Sequence, residues 1–272
     1  NQVDMGDFQT PPALTYAICH TLAENGHTPC VLIEPACGLG NFVIAALDTF
    51  PSLEYVYCIE LQQHYEWGFK IHLLDYALKH SYSARIKFFR GNLFSHQFGH
   101  IIRDWIAEKS QKDQSIQYSN ILILTNPPWI TNAQLSRLGS SNLPQKSNYK
   151  RLLGLDAMTG HGNFDLAEAM LHYTLQECFN ADLHGSFVFL CKFSVVHGFL
   201  QAIPFVSYLV EDFRCIHLDA FTWFHIHADA CSFCGTFGDA LKNKSSICQY
   251  YPNAPYISAI GSKPYIPLPF PV

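Results

Sequence analysis

The chain predicts an α/β fold built on a doubly wound, mostly parallel, seven-stranded sheet. Three observations carry that expectation. Apolar runs of strand length alternate with helix-length segments throughout, the pattern of a parallel sheet covered by helices on both faces. Polar or glycine-bearing turns follow the first, second, third and fourth of those runs, at the edge where open α/β sheets bind ligands. The composition agrees: 272 residues, 49% hydrophobic and 14% charged, suffice for one large well-buried domain or two small ones.

Taken in order, a first helix spans Pro11–Glu24, its two prolines tolerated in a first turn where a missing N–H costs little. Strands are expected at Val31–Glu34, Tyr55–Glu60, Ile86–Arg90, Ile121–Thr125, Ser186–Cys191, Cys215–Asp219 and Ala230–Phe237. Between them, helices fit Phe42–Phe50, Leu61–His80, Ile101–Ser110, Asp165–Asn180 and Phe199–Glu211. Leu166, Met170 and Tyr173 share one face of the fifth helix, a spacing that reads as core. The tail from Asn253 to Val272 is rich in proline and aromatics and reads as extended packing. The chain opens on Asn1 rather than methionine, which reads as a fragment or trimmed chain.

The most informative segment is Asn126-Pro127-Pro128-Trp129, at the end of the apolar run Ile121–Thr125. Proline cannot donate to a sheet ladder and forces its predecessor into an extended conformation, so the strand stops here. What remains is the side-chain carbonyl of Asn126, the main-chain carbonyl of Pro127 and the ring of Trp129. Two acceptors and a stacking face suit a planar substrate with an exocyclic NH2, such as an adenine taken out of its base stack. A plain loop after a core strand is the competing reading.

Val31-Leu32-Ile33-Glu34-Pro35-Ala36-Cys37-Gly38-Leu39-Gly40-Asn41-Phe42 reads as strand, glycine turn and helix start. The glycines allow close backbone approach to a ligand, and the helix offers free N–H groups. Val43 stands where a dinucleotide-binding fingerprint would carry its third glycine. Glu34 is placed to hold a cation or an ammonium. Glu60, 20 residues past Gly40, closes the second strand, where a carboxylate can accept from ribose hydroxyls. The third strand runs into Gly91-Asn92-Leu93-Phe94, a polar and aromatic turn suited to an adenine ring.

Other classes are weakened. The longest apolar runs are of strand length, too short to span a bilayer, so no membrane is expected. Ten cysteines lie mostly in apolar runs, among them Cys30, Cys58, Cys191, Cys215 and Cys231, where cysteine acts as a small hydrophobe. A reducing, cytoplasmic setting follows. Cys231 and Cys234, preceded by His225 and His227, have metal-like spacing, but apolar flanks favour a strand, and no metal is expected. The net charge of −5 lacks the basic excess of a free-standing DNA-binding protein. Only Thr131–Asn163 is basic, with Arg137, Lys146, Lys150 and Arg151 against Asp156. A segment this long without periodicity is usually functional or mobile.

Together these residues resemble the S-adenosylmethionine-dependent DNA adenine-N6 methyltransferases with the gamma motif order, as in type IIG and type I modification enzymes. Phe8-Gln9-Thr10-Pro11-Pro12 looks like their amino-terminal cofactor motif, and Glu34–Phe42 like the methionine-binding loop. Glu60 and Leu61 fall at the ribose position, Asn92 and Leu93 at the adenine position, and Asn126–Trp129 at the catalytic motif. Gly162-Asn163-Phe164-Asp165 and Phe224–Phe237 match later segments of such enzymes.

The resemblance implies a class I methyltransferase fold over residues 1–252, with S-adenosyl-L-methionine as cofactor and DNA as substrate. Cofactor contacts would come from Thr10, Pro12, Glu34, Pro35, Ala36, Gly38, Gly40, Asn41, Phe42, Glu60, Leu61, Asn92, Leu93 and Asn126. Asn126, Pro127, Pro128 and Trp129 would be catalytic. Trp129 and Phe164 would touch the base, and Arg137, Lys146, Lys150 and Arg151 the DNA. Asn92 departs from the family's usual aspartate. A target-recognition region is also missing, so a separate or removed recognition subunit or domain is implied. RNA adenine or protein glutamine as substrate, and a cofactor-binding scaffold subunit of a split enzyme, remain open at this point.

Overall fold

A computed structural model describes residues 8–110, 120–130, 165–238, 248–251 and 266–268. Seven helices and nine strands are found among them. α1 (Pro12–Glu24) precedes β1 (Val31–Glu34), α2 (Asn41–Thr49), β2 (Tyr55–Glu60), α3 (Gln63–Lys79) and β3 (Arg85–Arg90). α4 (Phe98–Ser110), β4 (Ile121–Thr125), α5 (Leu166–Asn180), β5 (Gly185–Lys192) and α6 (Phe193–Ala202) follow. β6 (Val210–Asp219), α7 (Ala220–Phe224), β7 (Asp229–Phe237), β8 (Cys248–Tyr251) and β9 (Ile266–Leu268) complete the order.

The strands form one sheet in the order β3-β2-β1-β4-β5-β7-β6-β8-β9. Its first five strands are mutually parallel, and β7 runs antiparallel between β5 and β6. Seven strands match the expected sheet; β8 and β9 extend it by a parallel pairing with β6 and an antiparallel one between themselves.

Side-chain alternation explains why the central strands read as continuous apolar runs. Val31 and Ile33 of β1, with Ile121 and Ile123 of β4, enter the core on one face. Leu32, Leu122 and Leu124 enter the core on the other. With both faces covered there is no polar side to alternate with. Each fully buried aliphatic or aromatic side chain contributes about 1.5–3 kcal/mol, so the two clusters hold the strand ends rigidly.

One expected helix is corrected. Of Phe199–Glu211 only Phe199–Ala202 is α-helical; α6 begins six residues earlier and stops at Ala202, where a 3-10 turn over Ile203–Phe205 contains Pro204. Proline removes a donor and clashes with the preceding turn, and the chain then enters β6 at Val210 rather than Cys215. α4 also starts a turn earlier than expected, at Phe98. The segment Thr131–Asn163, with Arg137, Lys146, Lys150 and Arg151, lies outside the described residues, as do Phe164 and most of the tail.

Candidate active site

The carboxyl ends of β1, β2 and β4 open into a single cleft. The strand order reverses between β1 and β4, whose connections run to opposite sides, which makes this the switch point where α/β sheets bind ligands. The cleft encloses about 1060 Å3 of empty space with its open mouth included.

After β1 the chain turns through Pro35–Gly40 into α2. Gly38 and Gly40 have φ of +50° and +78°, a region that side-chain-bearing residues rarely occupy. A Cβ on Gly40 would sit 2.4 Å from the Phe69 ring, so α3 presses directly beneath the turn. Glu60 braces it from β2: its carboxylate accepts from the Gly38 N–H at 2.9 Å and from the Gln62 N–H at 2.7 Å. A carboxylate can accept several hydrogen bonds at once, so bracing the turn is compatible with meeting a ligand.

Glu34, at the end of β1, is 2% exposed and lines the cavity. Its Oε2 is buried with no hydrogen-bond partner among the described residues. Burial, then the neighbouring Cys58 and Glu60, push its carboxyl well above the usual carboxylate range, against a smaller opposing pull from the Val43 N–H. Burial likewise raises the adjacent Cys37 thiol. A buried carboxyl of this kind is poised to take a cation as its counter-ion.

Asn126 closes the other side. Its Nδ2 donates to the Phe8 carbonyl at 2.7 Å, while its Oδ1 is buried without a partner among the described residues. The amino-terminal segment also grips the glycine turn: Gln9 Oε1 accepts from the Leu39 N–H at 3.0 Å, and the Thr10 carbonyl from Asn41 Nδ2 at 2.7 Å. Three successive residues thus tie the two ligand-facing turns together.

The cleft gathers most of the expected positions. Thr10, Glu34, Pro35, Ala36, Gly38, Asn41, Phe42, Glu60, Leu61, Leu93, Asn126 and Pro128 all line it. Pro12, Gly40, Asn92, Pro127 and Trp129 do not. Pro12 opens α1. Asn92 Oδ1 accepts from the Phe94 N–H at 2.9 Å, capping a short 3-10 turn and leaving Leu93 and Phe94 to the cavity wall.

Trp129 is 6% exposed. Its Nε1 donates to the Leu190 carbonyl at 3.1 Å, and its ring packs on Phe8 and Phe224, with centroids 5.9 and 5.2 Å away. Behind the turn, the Leu166 N–H donates to the Ile130 carbonyl at 2.9 Å. Asp165 caps α5 and pairs with Lys192 at 2.7 Å.

Phe94, expected in the turn suited to an adenine ring, lines the cavity; Phe8, Gln9, Leu166 and Met170, to which the sequence gave no individual site role, line it too. Leu166 and Met170 belong to the helical stripe expected to be core, and they are buried as well as cavity-lining. Phe8 and Gln9 stand inside the quoted amino-terminal motif, the one signal that marks them.

The chain has the fold of the Rossmann-like methyltransferases, with its cleft at the switch point of the sheet. Over 253 residues, 93% of its length, the chain is 32% identical to the Type II methyltransferase M.NspV of Nostoc sp.. Its fold matches a type I restriction-modification system methyltransferase subunit from Streptococcus thermophilus, with a TM-score of 0.54 and 10% identity over 89% of the chain. It also matches the M protein of the type I restriction enzyme EcoKI, with a TM-score of 0.51 and 14% identity over 89% of the chain. The chain spans about half the length of these proteins, 48%, 46% and 48% respectively. No protein-family model matches the chain. Among the described residues no helix is long and apolar enough to cross a membrane, and no group of three or more His, Cys, Asp or Glu is set to hold a metal.

Proposed function

We propose that this domain transfers a methyl group from S-adenosyl-L-methionine to the N6 of a flipped adenine in DNA, with sequence recognition supplied by a separate subunit or domain. The observation that carries this reading is the orphaned Oδ1 of Asn126. The Phe8 carbonyl engages the amide's donor side and leaves the acceptor side buried and unpartnered among the described residues. Such an atom calls for an incoming N–H donor. An exocyclic amino group supplies one.

The residues present fit the cofactor. Glu34 offers a buried acceptor to an ammonium, Glu60 a cleft-lining carboxylate to ribose hydroxyls, and Leu93 and Phe94 apolar surface to a purine. When bound, the cofactor supplies an electrophilic sulfonium methyl. The amino nitrogen of adenine is a poor nucleophile because its lone pair is delocalised into the ring. A hydrogen bond to Asn126 Oδ1 favours a more tetrahedral nitrogen as charge develops, an electrostatic contribution set up before the reaction; the Pro127 carbonyl, outside the cleft lining, adds a second once the base displaces the aromatic wall. The two tied turns hold both reactants in line, so positioning supplies much of the rate. Phe8, Trp129 and Phe224 form the aromatic wall beside Asn126, and entry of a base between them requires that wall to part. The basic segment holding Arg137, Lys146, Lys150 and Arg151 supplies phosphate contacts in this reading, and ten cysteines outside any disulfide fit a reducing cytoplasm.

The test is cofactor titration by calorimetry beside methyl-transfer assays in which duplex DNA, RNA and a glutamine peptide compete. Cofactor binding lost in Glu60→Ala, with transfer to DNA adenine abolished in Asn126→Ala, supports the reading. Transfer to peptide or RNA in preference to DNA replaces the substrate. Near-normal turnover by Asn126→Ala removes the role given to that residue.

A further inference from the structure

α3 has two apolar faces, and among the described residues only one is packed. Tyr65, Phe69 and Tyr76 turn inward and are buried, with Phe69 packed on Phe88 of β3 at 5.0 Å between centroids. On the opposite side Trp67, Ile71, Leu74 and Leu78 are 64%, 63%, 60% and 77% exposed. At 100° per residue these four fall within an arc of about 60°. Their spacing of four, three and four is that of alternating d and a positions in a heptad, the seam of a helix–helix contact. A helix resting on a sheet normally shows water a polar face, and a continuous apolar patch marks an interaction surface.

The flanks narrow the choice of occupant. Lys70 pairs with Glu66 and Lys79 with Asp75, each at 2.7 Å, so the charged side chains of α3 cancel along the helix. Nucleic acid or an anionic bilayer would call for a cationic border. An apolar helix face calls for the same in return. The stripe is nearly palindromic: turned end for end about its midpoint, Trp67 falls opposite Leu78 and Ile71 opposite Leu74. Side chains of this size and exposure leave on the order of 500 Å2 open per chain. A symmetric pair would bury about 1,000 Å2, the lower bound for a specific interface.

We propose that α3 is the contact of a two-fold symmetric homodimer, in which two copies of the helix pack antiparallel through Trp67, Ile71, Leu74 and Leu78. The contact lies one side chain from the cofactor turn. Phe69 on the inner face fills the space under Gly40, and a Cβ on Gly68 would meet Leu39 at 2.4 Å. The pairing is independent of which substrate the cleft takes.

Sedimentation velocity over a concentration series of the chain tests this. The expected result is a monomer–dimer equilibrium with a midpoint of about 1–100 µM, as befits an interface of this size. Ile71→Lys and Leu74→Glu sit on exposed positions and should each weaken association at least tenfold while circular dichroism stays native. Mixed one to one, the two variants should associate again. The antiparallel register sets the ammonium introduced by Ile71→Lys in one chain against the carboxylate introduced by Leu74→Glu in the other. A native-like chain that stays monomeric throughout overturns the proposal. Dimerisation that survives both substitutions, or a mixture without rescue, overturns the register.

Discussion

The side-chain amide of Asn126 donates to the main-chain carbonyl of Phe8 at 2.7 Å across a separation of 118 residues. That bond fixes which end of the amide meets the cleft. Asn126→Asp replaces the donor with a second acceptor facing the Phe8 carbonyl. The expected cost is about 1–3 kcal/mol of stability, with methyl transfer reduced by about 10²–10³-fold. Denaturant titration and single-turnover assays measure the two effects separately. Full activity with unchanged stability would show that the Phe8 bond does not orient the amide.

Glu34 predicts a proton linkage. Its folded carboxyl is raised above the unfolded value, chiefly by burial. The stability it contributes is complete below the unfolded carboxylate pKa and is lost as pH rises through the folded one. Glu34→Gln keeps a neutral side chain of the same shape, so its melting temperature should exceed that of the parent at pH 8, with the gap closing toward pH 4. A cationic ligand pulls Glu34 toward its charged form, so binding of S-adenosyl-L-methionine should release a proton and strengthen as pH rises. Calorimetry in buffers of different ionisation enthalpy reads this directly. An identical heat in every buffer would count against it.

Gly40 and Gly26 provide a matched pair, with φ of +78° and +83°. Gly26 has open space where a Cβ would go, whereas Gly40 has the Phe69 ring at 2.4 Å. Gly26→Ala should cost about 1 kcal/mol from backbone strain alone. Gly40→Ala should cost more and also weaken cofactor binding, with part of the loss recovered in Gly40→Ala/Phe69→Leu. Equal penalties in urea titrations would refute the packing argument.

Trp129 is expected to act on stability before it acts on substrate. Trp129→Phe removes the 3.1 Å bond to the Leu190 carbonyl but keeps a ring between Phe8 and Phe224. A loss of about 1 kcal/mol follows, against about 3–5 kcal/mol for Trp129→Ala. A ring that served only as an exposed stacking platform would leave the denaturation midpoint unchanged in both.

Much of the site was legible because its turns are local. Proline after Asn126 stops β4 wherever the strand lies, and Gly38 and Gly40 permit a backbone that other residues resist. The unbroken apolar character of β1 and β4 follows from burial on both faces, which any reader of the runs can infer. Thus Glu34, Glu60 and Asn126, each next to such a turn, were expected at one sheet edge and line one cleft there.

Contacts between distant segments decided the remainder. Nothing near Asn92 announces that its oxygen caps a turn instead of lining the cleft, and nothing near Trp129 announces Leu190, 61 residues away, as its partner. The strand pairing that adds β8 and β9, and the apolar seam left open on α3, likewise depend on what the assembled sheet covers. Sequence by itself determined where strands end and which turns can approach a ligand, because sterics and periodicity act over a few residues. Tertiary structure decided which polar atoms remain unsatisfied and which rings remain exposed, because those are properties of packing between segments that the chain brings together only on folding.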